Sequence, residues 1–341
     1  MGMRCGGGRS DTRRSGTRSV GFLAVALLAA CGGGAGQPEA GREGREPAAA
    51  SAPAVRSEGF VTTDDGVRLF HASLGDGPQA VVIPVALYLE KALAPLAGDE
   101  RRLVFYDPRC RGRSDCSDLA RVTLERQIAD LEQLRAGLGI ERMALIGWSG
   151  LGMETVRYAL RHPDRVTRIV QVAPIPPSKA LMDAHGDRRS ERVDGAAMAA
   201  LERRIADGDF EDDPRELCER YQELTLPSSF ANPAHAARVP DPCRFENEWP
   251  ANLWPYFGAL LPSFGAWDLT AEMRDLAIPR LVIHGREDGI PLAGAEAWAA
   301  SGNARLLVLS PAGHFPFLER PAEFFPAVDR FLDGEWPEGA R

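Results

Sequence analysis

Three residues of this chain together carry the side chains needed to attack a carbonyl carbon. Ser149 follows the apolar run at residues 143–147 and is flanked by glycines in a near match to Gly-x-Ser-x-Gly. Asp288 and His314 each follow a further apolar run. A serine hydroxyl becomes a good nucleophile when an imidazole takes its proton, and a carboxylate orients that imidazole. The sequence therefore predicts a catalytic triad in the order Ser149, Asp288, His314.

The assignment of the acid leaves one rival, because Glu287 stands directly before Asp288 at the same predicted turn. The base is less ambiguous. Of the 6 histidines, only His314 follows a predicted strand end without a more ordinary explanation as a packing, hairpin or helix-end residue.

These apolar runs belong to an alternating pattern of strands and helices. The pattern predicts a β-hairpin at residues 59–74. It predicts four further strands at residues 80–83, 103–106, 143–146 and 168–172, and two helices at residues 89–96 and 124–137. Such alternation is typical of an α/β protein with a mostly parallel central sheet and helices on both faces. Ligands bind at the carboxyl ends of such strands, where the three candidate residues stand.

The alternation stops in the second half of the chain. Residues 176–275 contain helical patterns and no strand, whereas the strand pattern resumes afterwards. We therefore expect one core, built from residues 58–175 and 276–336, with a helical cap inserted between strands six and seven.

Three short segments give the chain a family resemblance. Residues 106–115, 161–166 and 313–321 resemble the corresponding motifs of the α/β-hydrolase superfamily, and the similarity extends over residues 59–333. Within the superfamily the chain looks most like the proline iminopeptidase branch. The resemblance implies the α/β-hydrolase fold and a serine hydrolase that acts through an acyl-enzyme. It implies no cofactor, and no spacing of residues resembles a metal site.

The resemblance also implies where an oxyanion would bind. Family members carry His-Gly-Gly-Pro-Gly or His-Gly-Phe after the third strand, whereas residues 84–88 here read Pro-Val-Ala-Leu-Tyr. One backbone donor is expected from this loop, at Leu87 or, one residue earlier, at Ala86. The other is expected from Gly150, which follows the serine. Loss of one such donor costs about 2.7–4 kcal/mol in the transition state. Leu151 is a second departure, since it replaces the second glycine of the motif.

Glu246 is a candidate for substrate binding. It lies in an Arg-Phe-Glu-Asn stretch similar to a proline iminopeptidase motif whose glutamate binds the free amino group of the substrate. Glu219 and Glu223 are candidates for the second amine-binding glutamate of that family. The alternative is that Glu246 is a solvated acid or part of a cap salt bridge.

The sequence therefore favours an aminopeptidase of the proline iminopeptidase type acting on a small molecule or short peptide. A carboxylesterase for small or lipidic esters is the alternative within the same chemistry. A non-catalytic binding protein is the alternative from another class, because the departures around the serine could have removed activity while the fold remained.

The amino terminus predicts export. Arginines precede a short apolar run at residues 20–30, which ends in a stretch similar to the lipoprotein cleavage box at Cys31. We expect residues 1–31 to be a signal peptide, Cys31 to be lipidated, and residues 32–57 to be a disordered linker. The protein would then be extracytoplasmic, anchored to a bacterial membrane (the outer membrane is favoured) and facing the periplasm or exterior. An ordinary signal peptide with an incidental cysteine is the alternative.

Charge and cysteines narrow the possible partners. The formal net charge of −8 gives no electrostatic basis for binding nucleic acid, and the lipid is the only expected contact with a membrane. Export would permit disulfides between the four remaining cysteines, for which three pairings are possible. Proximity in sequence favours Cys110 with Cys116 and Cys218 with Cys243.

Overall fold

An eight-stranded, mostly parallel sheet organises the computed structural model, which describes residues 55–341. The strands are β1 (Arg56–Thr62), β2 (Arg68–Leu74), β3 (Gln79–Pro84), β4 (Arg101–Tyr106), β5 (Met143–Trp148), β6 (Val166–Val172), β7 (Arg280–Gly285) and β8 (Ala304–Leu309). Their order in the sheet is β1-β2-β4-β3-β5-β6-β7-β8. The hairpin β1-β2 and the pair β2-β4 are antiparallel, and every other pair is parallel.

Ten α-helices accompany the sheet in the described part of the chain. They are α1 (Ala86–Leu93), α2 (Leu124–Gly137), α3 (Gly150–Arg161), α4 (Lys179–His185), α5 (Gly195–Ala206), α6 (Pro214–Thr225), α7 (Pro250–Leu260), α8 (Leu292–Ala299), α9 (Pro316–Glu319) and α10 (Pro321–Leu332). Helices α1, α9 and α10 pack on one face of the sheet, and α2, α3 and α8 pack on the other.

Burial on both faces explains why the central strands read as continuous apolar runs. In β5, Ala144 and Ile146 point into the layer under α1 and α10, whereas Met143 and Leu145 point into the layer under α2 and α3. All four side chains are almost completely buried. A strand covered on both sides needs apolar residues at every position, which is the pattern seen in the sequence.

The predicted fold class is confirmed, with two adjustments at element ends. Strand β1 begins at Arg56, because Arg56 pairs with Leu74, so two residues assigned to the linker belong to the sheet. The first helix begins at Ala86 rather than at residue 89. Val85 adopts a left-handed conformation with φ 66° and turns the chain directly from β3 into the helix.

Helices α4–α7 form the insertion between β6 and β7. A narrow neck joins it to the core, where Ser178 bridges Asp268 and Leu269 N–H donates to Pro177 O at 3.0 Å. Leu269 and Met273 pack into the core layer beside α2 and α3. The chain therefore returns to the core earlier than the expected boundary at residue 275.

Two disulfides constrain the loops next to the cap. Cys110–Cys116 closes the loop after β4, and Cys218–Cys243 joins α6 to the segment that precedes α7. These are the pairings that proximity in sequence favoured.

The signal peptide at residues 1–31, its Cys31 and the predicted linker up to residue 54 lie outside the described residues. Within residues 55–341, no helix combines the length and apolar character needed to cross a membrane.

One buried acid lies on α3 without a cationic partner. Glu154 is only 3% exposed, and its Oε1 accepts a hydrogen bond from the Tyr106 hydroxyl at 3.4 Å. Burial raises the pKa of Glu154 to about 8, and nearby Asp130 adds to the rise, although Tyr106 opposes it. The carboxyl is therefore protonated at neutral pH.

This raised pKa makes the free energy of unfolding depend on pH. Between pH 4.5 and about 8 the unfolded chain loses the Glu154 proton while the folded chain keeps it. The contribution of this group to stability therefore falls as pH rises through that window, by about 1.4 kcal/mol per pH unit. We expect Glu154→Gln to be more stable than the parent at pH 8, with a difference that shrinks towards pH 5. Urea unfolding at both pH values measures this.

The exposed Glu338→Gln is the matched control for removal of one carboxylate. If Glu154→Gln and Glu338→Gln show the same pH dependence as the parent, Glu154 does not titrate as described.

Candidate active site

The carboxyl ends of three parallel strands position the three candidate catalytic residues. Ser149 directly follows β5, Asp288 lies three residues after β7, and His314 lies five residues after β8. Ser149 is half-buried, whereas Asp288 is 9% exposed and His314 is 1% exposed. The arrangement places a hydroxyl, a carboxylate and an imidazole along one edge of the sheet.

The backbone at Ser149 makes a sharp, strained turn between β5 and α3. Its φ of 58° and ψ of −127° lie in a region that a side chain disfavours, at a cost of about 1–3 kcal/mol. Ser149 N–H donates to Val172 O at 2.9 Å, and Ser149 O accepts from Ile175 N–H at 3.4 Å. These hydrogen bonds to β6 and the chain just beyond it hold the turn.

Two glycines give the turn its room: Gly147, the first glycine of the motif, and Gly152, one position after the place of the second. A Cβ at Gly147 would lie 2.5 Å from Leu151 O, and a Cβ at Gly152 would lie 2.9 Å from Pro174 Cβ. Leu151 itself is half-buried. The close contact with the neighbouring strand end has therefore moved to Gly152, and the leucine does not obstruct the turn.

Asp288 is the acid that contacts the histidine. His314 Nδ1 lies 2.9 Å from Asp288 Oδ2, and Asp288 Oδ1 accepts from Ile290 N–H at 3.0 Å. Burial alone would raise the pKa of Asp288, but the charge and hydrogen bond of His314 outweigh it and hold the pKa below its usual value. With Nδ1–H donated to this carboxylate, the imidazole keeps Nε2 as its proton acceptor.

Glu287, the rival acid, supports the histidine loop instead. Its carboxylate accepts from the Ser310 hydroxyl and from Ala312 N–H, both at 2.8 Å. It thereby fixes the loop that leads to His314, and it makes no contact with the imidazole among the described interactions.

Two further contacts fix His314, and the sequence analysis missed both. His314 N–H donates to Ser229 O of the cap at 2.7 Å, and Trp148 Nε1 donates to His314 O at 2.8 Å. The ring centroids of Trp148 and His314 are 5.1 Å apart. The one sequence feature that pointed to these contacts is Trp148, directly before the serine, because a large side chain at that position must contact an adjacent loop.

The expectation that Leu87 supplies the loop's oxyanion donor is wrong. Leu87 N–H donates to Asp107 Oδ1 at 2.9 Å, so this donor is already occupied. Ala86 is the first residue of α1, and its N–H donates to none of the described residues. Gly150 stands in the same position at the start of α3. The first N–H groups of a helix lack intrahelical acceptors, and neither of these two has an acceptor among the described residues.

Asp107 determines which backbone N–H of the loop after β3 is already hydrogen-bonded. Its carboxylate is fully buried and also accepts from Arg113 N–H at 3.1 Å. Burial raises the pKa of Asp107, although the N–H donors from Arg113 and Leu87 oppose the rise. Asp107, which directly follows β4, thereby fixes the position of the segment that joins β3 to α1.

Glu246 is not placed for the amine-binding role that the resemblance implies. Its side chain is exposed. The buried acid of this segment is Glu248, which is 1% exposed and binds Arg111 through Nε at 2.6 Å and Nη2 at 2.8 Å. Glu219 and Glu223 are also exposed, on α6, where they pair with neighbouring arginines.

A cavity of about 550 Å³ lies where the cap meets the strand ends. Trp148 and Phe315, the sequence neighbours of Ser149 and His314, line its core side. Apolar and hydroxyl side chains of the cap line much of the rest, and the charged residues in the wall are Arg111 and Arg189. No carboxylate from the described part of the chain lines this cavity.

The sequence matches known proteins over most of the described region. Residues 83–321 match the family model described as alpha/beta hydrolase fold. A pimeloyl-(acyl-carrier protein) methyl ester esterase from Nitrosomonas europaea is 30% identical over 55% of this chain and 70% of its own. A proline iminopeptidase from Xylella fastidiosa is 31% identical, but over only 33% of this chain and 38% of its own. The biotin biosynthesis bifunctional protein BioHC from Teredinibacter turnerae is 27% identical over 70% of this chain. The matched region covers only 40% of the length of BioHC.

A solved structure shares the fold. The serine hydrolase CCSP0084 from Cycloclasticus zankles superposes with a TM-score of 0.61 at 20% identity, over 82% of this chain and 99% of its own. The relatives named as esterase or peptidase support a hydrolase enzyme. Together with the family match and the ordering of sheet, turn and acid–histidine pair, this shows that the chain belongs to the alpha/beta hydrolase family.

Proposed function

We propose that this hydrolase is a serine carboxylesterase that cleaves small or apolar carboxylic esters through an acyl-enzyme. The observation that carries the proposal is the cavity lined by Trp148 and Phe315, the sequence neighbours of Ser149 and His314, because its lining from the described residues includes no carboxylate. A pocket with that lining accepts an apolar ester readily, but it gives an ammonium group no counter-charge.

The contact between Asp288 and His314, and the place of Ser149 at a nearby strand end, support the following roles. Ser149 attacks the ester carbonyl, and His314 Nε2 takes the hydroxyl proton and passes it to the leaving alcohol. Asp288 holds the imidazole through Nδ1 and stabilises the imidazolium. A water molecule, activated by the same imidazole, then releases the acid and restores the serine.

Ala86 and Gly150 are the proposed oxyanion donors. Both are the first residues of helices that begin at the strand ends beside the serine. The backbone N–H of each carries partial positive charge from its helix and needs no side chain to bind an oxyanion. The unusual Pro-Val-Ala-Leu-Tyr loop is therefore compatible with catalysis.

The aminopeptidase hypothesis has weaker support. Glu246 is exposed, and the match to the proline iminopeptidase covers about a third of either chain. Arg111 and Arg189, the positive ends of two ion pairs, line the cavity wall and disfavour a free α-amino group there.

We further propose that the protein is exported and anchored through a lipid on Cys31. Two disulfides support export, because such bonds persist in oxidising compartments and are rare in the cytosol. Labelling of the native host with an alkyne fatty acid should tag the parent and leave Cys31→Ser untagged. An untagged parent would reduce the segment to an ordinary signal peptide.

The roles of the two adjacent acids give a sharp comparison. Asp288→Asn keeps the size of the side chain but favours the wrong imidazole tautomer, so we expect kcat to fall by about 10⁴-fold. Glu287→Gln keeps the loop contacts partly intact, and we expect a loss of less than about tenfold. Stopped-flow hydrolysis of 4-nitrophenyl butyrate measures both. Equal losses in the two variants would contradict the assignment of Asp288 as the acid.

Substrate preference separates the esterase from the aminopeptidase. We expect hydrolysis of 4-nitrophenyl butyrate that disappears in Ser149→Ala, and little cleavage of proline 4-nitroanilide. Glu246→Gln should leave ester hydrolysis within about twofold, because the carboxylate is exposed and does not line the cavity.

Two outcomes would overturn this reading. Proline anilide cleavage that collapses in Glu246→Gln would restore the aminopeptidase. A folded parent that hydrolyses neither substrate and resists a fluorophosphonate probe would favour a non-catalytic binding protein.

A further inference from the structure

The cavity wall contains a guanidinium group that the triad does not use. Arg189 follows α4, in the cap, and lines the cavity together with Trp148 and Phe315. Its Nε donates to both carboxylate oxygens of Asp187, at 3.0 and 2.9 Å, and Nη2 donates to the same carboxylate. Nη1 donates to no acceptor among the described residues, so one charged donor remains available.

Arg189 is held close to the catalytic acid. Arg188 N–H donates to Gly289 O at 2.9 Å, and a Cβ at Gly289 would lie 2.6 Å from Arg189 N. The residue after Asp288 is therefore packed directly on the backbone of Arg189. Asp288 is close enough to attract the guanidinium electrostatically. This packing on the core fixes the backbone of Arg189, so its guanidinium has a defined place in the cavity wall.

A second arginine faces the cavity in a similar way. Arg111 lines the wall, whereas its partner Glu248 does not, and neither does Asp187, the partner of Arg189. In both ion pairs the cation lies towards the cavity and the acid lies behind it. Although each pair is nearly neutral, its dipole presents the positive end to a low-dielectric space, which favours an anionic ligand group.

The apolar residues of the cavity lining indicate the chemistry of the rest of the ligand. Met198, Leu226, Leu253 and Phe257 supply apolar surface to the cavity. A chain of methylene groups would bury against them at a gain of about 0.8 kcal/mol per group. The complementary ligand therefore combines an apolar chain with an anionic end.

We propose that the esterase prefers half-esters of dicarboxylic acids, and that Arg189 Nη1 binds the free carboxylate of the substrate. This inference rests on the proposed esterase function and names the substrate class for that site. Arg189 is a specificity residue, since it contacts the remote end of the substrate and not the reacting carbonyl.

Two esters that differ only at the remote end test the proposal. They are 4-nitrophenyl hydrogen adipate, with a free carboxylate, and 4-nitrophenyl methyl adipate, in which that carboxylate is capped. We expect the parent to hydrolyse the free acid with a kcat/KM at least about tenfold above that of the capped ester, as a charge-assisted hydrogen bond would produce. In Arg189→Gln the ratio of the two kcat/KM values should fall to about one.

Arg188→Gln is the matched control. It removes the same charge from the adjacent residue, whose side chain is exposed and does not line the cavity. The ratio should therefore stay at the parent value. A ratio near one in the parent, or a ratio that survives in Arg189→Gln, would overturn the proposal while ester hydrolysis itself would still support the esterase.

A binding measurement keeps the test independent of turnover. Calorimetric titration of the full-length Ser149→Ala protein with monomethyl adipate should give a Kd at least about tenfold lower than with dimethyl adipate. The difference should vanish in the Ser149→Ala, Arg189→Gln double variant. Equal affinities for the two esters in Ser149→Ala would contradict the carboxylate site even if the parent hydrolyses no ester at all.

Discussion

The turn at Ser149 is the constraint on which the rest of the site depends. A residue with a side chain is held at φ 58° between a buried strand and a helix, and the strain is offset by hydrogen bonds from β6 and the chain just after it. Gly147 and Gly152 lack a Cβ, and this absence allows α3 to pack close to the sheet. Because α3 starts directly after the serine, the free N–H of Gly150 stands beside the hydroxyl. The proposed nucleophile and one proposed oxyanion donor are thus products of a single backbone turn.

The second proposed donor, Ala86 N–H, depends on a different strained residue. Val85 is β-branched and nevertheless adopts φ 66°, which turns β3 into α1 without the glycines that relatives use there. Asp107 stabilises the result by accepting from Leu87 N–H, and this contact leaves Ala86 as the first unoccupied donor. A buried carboxylate from the neighbouring strand end thereby replaces what a glycine-rich loop does by conformation alone. This explains how the departure from the family pattern is compatible with a complete site.

Much of the fold could be predicted from the sequence because burial of both sheet faces leaves a local pattern. Short segments of sequence are enough to predict the strands around Ile146 and Ile283. They are also enough to predict the order of Ser149, Asp288 and His314. The donor in the oxyanion loop could not be predicted to the residue, because the choice between Ala86 and Leu87 depends on Asp107, which is distant in sequence.

The cap illustrates the same limit. Glu246 and Glu248 lie two residues apart in the same short segment, yet one is exposed and the other is buried. The difference arises because Arg111, from the loop after β4, pairs with Glu248. The resemblance matched a motif by its letters, whereas the burial of each acid follows from a long-range ion pair. The wall of the cavity, on which the proposed preference for an anionic ligand rests, becomes visible only in three dimensions.

The most direct test of the account is a crystal structure of the protein after reaction with a fluorophosphonate ester. We expect a covalent bond between phosphorus and Ser149 Oγ, with the phosphoryl oxygen about 3 Å from both Ala86 N and Gly150 N. A folded protein that forms no adduct, or an adduct whose oxygen contacts Gly150 alone, would contradict the claim that the loop after β3 completes a working oxyanion site.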